Sequence, residues 1–119
     1  MISLGASLGA LTRWSAGLWL NARWGGFPLG TLAVNVVGGF LIGMALAWFS
    51  RQPNELLKLL VVTGFLGGLT TFSSFSGESL VMLQRGTYGM ALLHAAVHMF
   101  GSLAAAAIGM SIMQRLLEA

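Results

Sequence analysis

Residues Gly64–Glu78 read GFLGGLTTFSSFSGE, and this stretch decides how the whole chain is interpreted. An apolar run, LLKLLVVT, precedes the polar part of the stretch, and another, SLVML, follows it. Hydroxyl, phenyl and carboxyl groups are therefore concentrated inside a segment of membrane length. The Gly67-Gly68 pair lowers the cost of leaving helical geometry, so we predict a helix that is broken near residues 67–71. A continuous helix that uses its glycines for packing is the alternative.

The composition predicts an integral membrane protein built entirely from α-helices. The chain has 119 residues, of which 56% are hydrophobic and 8% are charged, whereas a soluble domain carries about a quarter charged residues. It has no cysteine, which excludes disulfides and thiolate metal sites. The net charge of +3 comes from residues near the ends of apolar runs. This distribution favours membrane anchoring over nucleic-acid binding, which needs a clustered basic face.

Four membrane spans in a single domain, residues 1–119, account for the apolar runs. A spanning helix needs about 20 mainly apolar residues, and the predicted spans cover about residues 2–20, 29–49, 55–84 and 88–117. The first starts at MISLGASLGA, which lacks the basic region of a signal peptide. The third is too long for one straight span, which agrees with the predicted break. Close helix packing is predicted by glycines four residues apart, namely Gly5–Gly9, Gly26–Gly30, Gly39–Gly43 and Gly64–Gly68.

The basic residues are almost evenly divided between the two sides of the membrane. One side carries Arg23 and Arg85, and the other carries Arg51, Lys58 and Arg115. Orientation normally follows a clear excess of Lys and Arg in the cytoplasmic loops. The near balance leaves two interpretations, insertion in both orientations or a single orientation fixed by a small bias.

A polar and aromatic stripe follows the predicted break. In a helix, where each residue turns by 100°, these side chains project within about 160° of the helix circumference. They are Thr71, Phe72, Phe75, Ser76, Glu78 and Ser79. Phenyl rings are positive at their edges and negative on their faces, so edges turned inward favour an anion and faces favour a cation. A helix–helix interface, with Ser and Thr bonded to their own backbone, is the alternative.

Other spans carry further polar residues. The amide of Asn35 can donate two hydrogen bonds or hold helices together. Glu78 and Arg13 are the charged residues expected within the membrane, which makes them functional candidates. Arg13 is interpreted as pairing, as snorkelling to the interface, or as drawing anions into a vestibule.

Two histidines and a serine share one face of the fourth span, since His94, His98 and Ser102 are spaced four residues apart. Histidines at this spacing can bind a metal. No carboxylate or cysteine stands nearby in the sequence to complete such a site, so a hydrogen-bonding track is favoured. One bundle of this size can hardly enclose a water-filled path, and polar faces that meet across a homodimer boundary are the smallest solution.

Four stretches resemble the Fluc/CrcB family of fluoride channels. The first span contains GASLGALTRW, and the second contains GTLAVNVVGGFLIG, which is similar to the family's Gly-Thr-x-x-Val-Asn signature. The third contains GFLGGLTTFSSFSGE, which resembles the family's most diagnostic segment, and the fourth contains HAAVHMFGS. The resemblance implies a channel, not an enzyme, that exports fluoride passively across the inner membrane and relieves its toxicity.

The resemblance also implies an assembly and a set of site residues. Members are homodimers of antiparallel subunits, with two fluoride pores lined by both subunits. Ring edges of Phe72 and Phe75 and the amide of Asn35 are expected to contact fluoride. Backbone carbonyls of Gly67 and Thr70 are expected to hold a structural sodium ion at the dimer centre. The other expected pore residues are Thr71, Ser73, Ser76 and Ser102, with Glu78 near one pore end and His98 where members often carry tyrosine.

Two other functions are considered beside the channel. A small-multidrug-resistance-like, proton-coupled antiporter would also have four spans and dual topology, with Glu78 as the coupling acid. Against it, Glu78 lies well past the break and the first span has no acid. The third interpretation is a non-conducting membrane assembly subunit. If His98 lines the pore, its titration is expected to make conduction respond to pH.

Overall fold

Every regular element is helical in the residues that the computed structural model describes, which are 1–21 and 27–119. Helix α1 covers Ile2–Leu20, and α2 covers Leu29–Arg51. The next part of the chain, Glu55–Gln84, is called the third segment below. A last long helix covers Tyr88–Glu118. Arg23 and the predicted Gly25-Gly26 turn lie outside the described residues.

The third segment consists of several helical pieces. In chain order they are α3 (Glu55–Lys58), a π-helix (Leu59–Leu66), α4 (Gly67–Leu69) and α5 (Phe72–Gln84), so the last helix, Tyr88–Glu118, is α6. Thr70 and Thr71 are extended, with ψ angles of 156° and 119°, and they separate α4 from α5. The Thr71 side chain then caps α5, because its hydroxyl accepts a hydrogen bond from the Ser74 N–H at 3.1 Å. The backbone therefore leaves helical geometry for two residues within the segment.

Three of the described helical segments are long and apolar enough to cross a membrane, by length and composition. They are Leu29–Arg51, Glu55–Gln84 and Tyr88–Glu118. Helix α1 has 19 residues, and serines, a threonine and an arginine interrupt its apolar positions. The hydroxyls of Ser7, Thr12 and Ser15 each bond to the carbonyl four residues earlier. These polar side chains are thus satisfied within the helix.

Glycines set how closely the helices pack. A Cβ added at Gly39 would lie 2.6 Å from the carbonyl oxygen of Ser102, so α2 and α6 meet backbone to backbone. Gly5 and Gly9 bring α1 into similar contact with the third segment, which carries the pair Gly64–Gly68. The predicted packing role is confirmed for these three pairs, Gly5–Gly9, Gly39–Gly43 and Gly64–Gly68. Gly26, from the fourth pair, lies outside the described residues.

The surface of the chain is apolar and its buried core is small. The core cluster consists of Val34, Leu66 and Leu69. Large apolar side chains are exposed along all the long helices; examples are Leu8, Trp14, Val37, Leu92, Met99 and Leu116. Such a distribution is suited to lipid, which solvates these side chains as water cannot. The chain is a multi-pass membrane protein.

Candidate functional site

An open groove of about 580 Å³ runs beside the interruption between α4 and α5. It is bounded by α2, the third segment and α6. Eight of the site residues predicted from the sequence line it: Asn35, Gly67, Thr70, Thr71, Phe72, Phe75, His98 and Ser102. The remaining four, Arg13, Ser73, Ser76 and Glu78, lie outside the lining. The groove therefore collects residues from three separate parts of the sequence at one place.

Asn35 holds the interruption in place through two hydrogen bonds to one residue. Its Oδ1 accepts from the Thr71 N–H at 2.8 Å, and its Nδ2 donates to the Thr71 carbonyl at 3.1 Å. A backbone that leaves helical geometry needs such partners, because buried peptide groups are costly when they are unpaired. Asn35 was expected to donate to fluoride, and in this structure its amide supports the backbone of Thr71.

A second side chain reaches the interruption from α1. The Nε of Arg13 donates to the carbonyl oxygen of Gly68 at 3.1 Å. The Thr71 N–H is directed to Asn35, so it does not make the helical bond to the carbonyl of Gly67, four residues earlier. Gly67 is exposed and lines the groove together with Thr70. The carbonyl of Gly67 thus lacks its helical partner in a residue that lines the groove, and the guanidinium of Arg13 contacts the neighbouring residue, Gly68.

His98 connects the Asn35 amide to the groove. Its Nδ1 lies 3.1 Å from Asn35 Nδ2. The side chain is buried, with 5% exposure, and its Nε2 has no hydrogen-bond partner within the described part of the chain. Most buried polar atoms are paired, so an exception calls for an explanation.

Glu78 is the centre of a second network that the sequence did not predict. Thr31 Oγ1 donates to one carboxylate oxygen at 2.5 Å, and His94 Nε2 lies 3.0 Å from the other. The second ring nitrogen of His94, Nδ1, is 3.0 Å from Ser79 Oγ. His94 is completely buried. The sequence did contain one signal for the pairing of Glu78 with His94. The two residues are equally far from Gly86 along the sequence, and Gly86 is the turn glycine between α5 and α6. An antiparallel hairpin of these two helices therefore brings the two side chains together.

Phenyl and imidazole rings pack against one another at the edge of the groove. Phe75 is stacked on His94, with centroids 4.9 Å apart and 9° between the planes, and it lies 4.6 Å from His98. Phe72 is 5.6 Å from Phe75 and is 79% exposed. The two phenylalanines are therefore adjacent, but one is held by the histidines and the other is open.

The remaining predicted hydroxyls are divided between the groove and the outer surface. Ser102 lines the groove. Ser73 and Ser76 are exposed, and Ser73 Oγ is 3.2 Å from Thr71 Oγ1. A continuous hydroxyl track is thus not assembled by one copy of the chain within its described residues.

Three side chains of suitable type for a metal lie close together. Atoms of Glu78, His94 and His98 that could act as ligands all lie within 4.8 Å of one another. The metal interpretation was set aside because no carboxylate stood nearby in the sequence, and the fold supplies one from α5. The hydrogen bonds around His98 decide whether this cluster suits a cation.

The family description "CrcB-like protein, Camphor Resistance (CrcB)" matches residues 1–110 of the chain. This chain belongs to the CrcB family. The match includes every residue that lines the groove, so the interruption and its supporting amide lie within the matched part of the chain. The resemblance seen in the four sequence stretches is thereby confirmed.

Curated relatives of this CrcB member are named fluoride-specific ion channel FluC. One from Bordetella petrii is 53% identical over 112 residues, covering 92% of this chain and 86% of that protein. One from Aromatoleum aromaticum is 54% identical over 110 residues, covering 91% of this chain and 84% of that protein. One from Variovorax paradoxus is 53% identical over 118 residues, covering 97% and 93%.

Proposed function

We propose that this CrcB family member is a fluoride-selective channel through which fluoride leaves the cell passively. The observation that carries the proposal is the lining of the groove, which combines hydrogen-bonding side chains with two phenyl rings. None of the described residues in that lining is a lysine or an arginine. The names of the relatives support the same function.

This lining suits the chemistry of a small, strongly hydrated anion. A pore must replace the water around the ion with protein donors, yet bind weakly enough for the ion to leave. Hydroxyl and imidazole groups supply donors, and the electropositive edges of phenyl rings supply weaker contacts. A fixed cation in the lining would hold fluoride too strongly. Chloride is larger and needs strong donors less, so a narrow passage of this kind favours fluoride.

The proposed assembly is an antiparallel homodimer in which α1 provides a fourth span. Its satisfied hydroxyls and exposed leucine and tryptophan side chains are compatible with lipid. The open groove, the 79% exposure of Phe72 and the exposed Ser73 and Ser76 favour completion of the pore by a second copy. The nearly balanced loop charges are compatible with insertion in both orientations.

A structural sodium ion at the dimer centre fits the groups at the interruption. Peptide carbonyls are hard oxygen ligands of the kind that alkali cations prefer. Gly67 presents a carbonyl without its helical N–H partner, and Thr70 is extended beside it. The carbonyls of these two residues would hold the ion, with the same pair from the second subunit. When bound, the ion supplies positive charge that organises the extended backbone.

Flux from liposomes tests the channel directly. Purified protein is reconstituted into vesicles loaded with potassium fluoride, and efflux is followed with a fluoride electrode in the presence of a potassium ionophore, which lets potassium leave with the fluoride. We expect rapid fluoride efflux with net charge movement and no comparable efflux of chloride. Phe75→Ile should reduce the rate, whereas Phe100→Ile, which changes an exposed ring outside the groove, should not.

The same vesicles separate the other functions. Proton-coupled uptake of cationic drugs would support the antiporter, and the absence of any flux would support an assembly subunit. Glu78 already accepts from Thr31 and lies against His94, and both would compete with a drug cation for the carboxylate. Orientation is tested by labelling Ala119→Cys with a membrane-impermeant maleimide, because the chain has no other cysteine. The labelling is done in intact cells, where reconstitution has not randomised the orientation, and antiparallel insertion predicts that about half of the subunits react from outside.

A further inference from the structure

The hydrogen bonds around His98 oppose a cation in the cluster of Glu78, His94 and His98. The Thr71 N–H lies 2.8 Å from Asn35 Oδ1 and the Thr71 carbonyl lies 3.1 Å from Nδ2, so Nδ2 is the donor group of this amide. Nδ2 also lies 3.1 Å from His98 Nδ1, which therefore accepts. A neutral ring that accepts at Nδ1 carries its proton at Nε2, so neither nitrogen has a lone pair left for a metal. A role other than metal binding therefore accounts better for the cluster.

Both ring nitrogens of His94 are held by side chains of α5. Nε2 lies 3.0 Å from Glu78 Oε1, and Nδ1 lies 3.0 Å from Ser79 Oγ. An ionised carboxylate only accepts, so in the neutral ring Nε2 donates to Glu78 and Nδ1 accepts from the Ser79 hydroxyl. A half-turn of the ring would put carbon atoms in both places and break both bonds. The His94 side chain is also completely buried, so the orientation of its ring is fixed.

Phe75, Glu78 and Ser79 lie on one face of α5, because residues three and four apart are neighbours on a helix. Phe75 stacks on the imidazole that the other two residues bind, with centroids 4.9 Å apart and 9° between the planes. Glu78 is held in turn by Thr31 of α2, whose hydroxyl donates to the second carboxylate oxygen. One face of α5 thus carries both a ring that lines the groove and the two bonds that fix the imidazole stacked on it.

The fixed imidazole of His94 sets the plane of the Phe75 ring. The two planes are nearly parallel, and a phenyl ring that turned about its own axis would leave the stacked geometry. His98 also contacts Phe75, with centroids 4.6 Å apart, but its plane is tilted by 47° and its Nε2 has no partner among the described residues. Of the two histidines, His94 is the one whose ring is bonded at both nitrogens.

The plane of the Phe75 ring matters for an anion in the groove, which this residue lines. A phenyl ring is negative on its faces and positive at its edge. A ring that turned freely would present a face to the groove for part of the time, and it would then repel the anion. A ring that is held in one plane presents the same part of its surface to every ion that passes.

We propose that His94 is a positioning residue: through its bonds to Glu78 and Ser79 it holds the ring of Phe75 in one plane, and it thereby maintains the passage of fluoride. The proposal rests on the proposed function, because it takes Phe75 to be a pore residue. It gives the network around Glu78 a role in conduction. His94 acts without contacting the ion, since neither it nor Glu78 lines the groove.

Fluorine NMR measures the mobility of the Phe75 ring whether or not the protein conducts. The full-length protein is labelled with 3-fluorophenylalanine in lipid nanodiscs, and the Phe75 signals among those of the seven phenylalanines are assigned by their loss in Phe75→Ile. A fluorine on one side of the ring changes place when the ring flips, so the exchange rate reports the flip.

We expect slow flipping of the Phe75 ring in the parent protein. In His94→Leu the flip should be faster on the order of tenfold or more, because each lost bond and the lost stacking contact is worth about 2- to 10-fold. Equal flip rates in the two proteins would overturn the proposal. A flip rate that rises in His98→Gln but not in His94→Leu would assign the restraint to His98 and would also overturn it.

Ser79→Ala is a milder variant that keeps the imidazole and its bond to Glu78. It removes one bond, so the ring of Phe75 should flip about 2- to 10-fold faster. Ser111→Ala, at an exposed position of α6, is the matched control and should leave the flip rate unchanged. His94→Gln keeps a planar amide that can donate to Glu78, and it should return the flip rate toward that of the parent protein. Equal flip rates in the glutamine and leucine variants would contradict the proposal.

Fluoride efflux from liposomes connects the ring to conduction. His94→Leu should lower the rate of efflux on the order of tenfold, and Ser79→Ala should lower it by about 2- to 10-fold. Thermal unfolding is measured on the same samples, because a merely structural role of His94 would lower the unfolding midpoint and leave the flip rate unchanged. Normal efflux from a variant whose ring flips freely would overturn the role in conduction. Absence of efflux from the parent protein would contradict the channel function, and the flip rates would still decide whether His94 holds the ring.

Discussion

Replacing Asn35 with alanine should release the backbone at the interruption. Two bonds to Thr71 are lost, and Thr71 is buried, with 8% exposure. Each buried group left unpaired costs about 1–3 kcal/mol, which gives about 2–6 kcal/mol for the pair. The groove is open and lets water reach one of the two groups, so we expect about 2–4 kcal/mol. Asn54→Ala, which removes one cap bond at an exposed helix start, should cost about 1 kcal/mol.

Hydrogen–deuterium exchange in lipid nanodiscs measures this difference locally. A local destabilisation of about 3 kcal/mol raises the open population roughly 100-fold. Amides of residues 66–80 should therefore exchange about 100-fold faster in Asn35→Ala and stay unchanged in Asn54→Ala. Tryptophan fluorescence during thermal unfolding gives an independent, global measure. Equal exchange in the two variants would refute the view that the Asn35 amide holds the interruption.

Three further predictions follow from the same structure. Gly39→Ala places a methyl group 2.6 Å from the carbonyl oxygen of Ser102 and should destabilise the protein by about 1–3 kcal/mol. Gly77→Ala is the control, because nothing lies within 4 Å of the added methyl group, and it should be neutral or stabilising in thermal unfolding. Equal unfolding midpoints for the two variants would contradict the close packing of α2 and α6. Glu78→Gln keeps one acceptor oxygen but removes the charge. The free energy of unfolding should fall by about 1–3 kcal/mol, because the bonds to the Thr31 hydroxyl and the His94 imidazole become weaker. An unchanged midpoint of thermal unfolding would contradict this. Fluoride efflux should depend on pH more strongly in the parent protein than in His98→Gln. The other titratable groups and the leak of neutral hydrogen fluoride are the same in both proteins, so the difference reports on His98. Identical profiles of efflux against pH would exclude His98 as the pH-sensitive group.

The sequence predicted the helical class because that class depends on local chemistry. Apolar runs of membrane length predict spanning helices, and the Gly67-Gly68 pair followed by threonines predicts a departure from helical geometry. The structure places the extended residues at Thr70 and Thr71, within the predicted range of 67–71. The glycine spacing also predicted close packing, since small residues at that interval leave room for a neighbouring backbone.

The partners of the polar side chains could not be predicted in the same way. Whether Asn35 donates to a ligand or to a peptide group depends on which backbone group lies opposite, and Thr71 stands 36 residues away in the sequence. The same holds for Glu78, whose separation from Thr31 is 47 residues. Pairing across such distances follows from the packing of both α2 and α5 against α6, and a pattern of residue types within one helix carries no information about it. The symmetry about Gly86 is the one local feature that pointed to a pair.

The two polar networks of this chain differ in a way that bears on its function. Around Glu78, the acceptors meet the donors supplied by Thr31 and His94, so this network is complete within one copy of the chain. Around Asn35, each amide hydrogen and the amide oxygen are used, and the set ends at His98, whose buried Nε2 has no partner among the described residues. Buried polar groups in a membrane protein are costly unless paired, so the unpaired Nε2 of His98 calls for an explanation that the network around Glu78 does not. The complete network stabilises the fold, whereas the incomplete one leaves a buried nitrogen atom without a partner among the described residues, on a side chain that lines the groove.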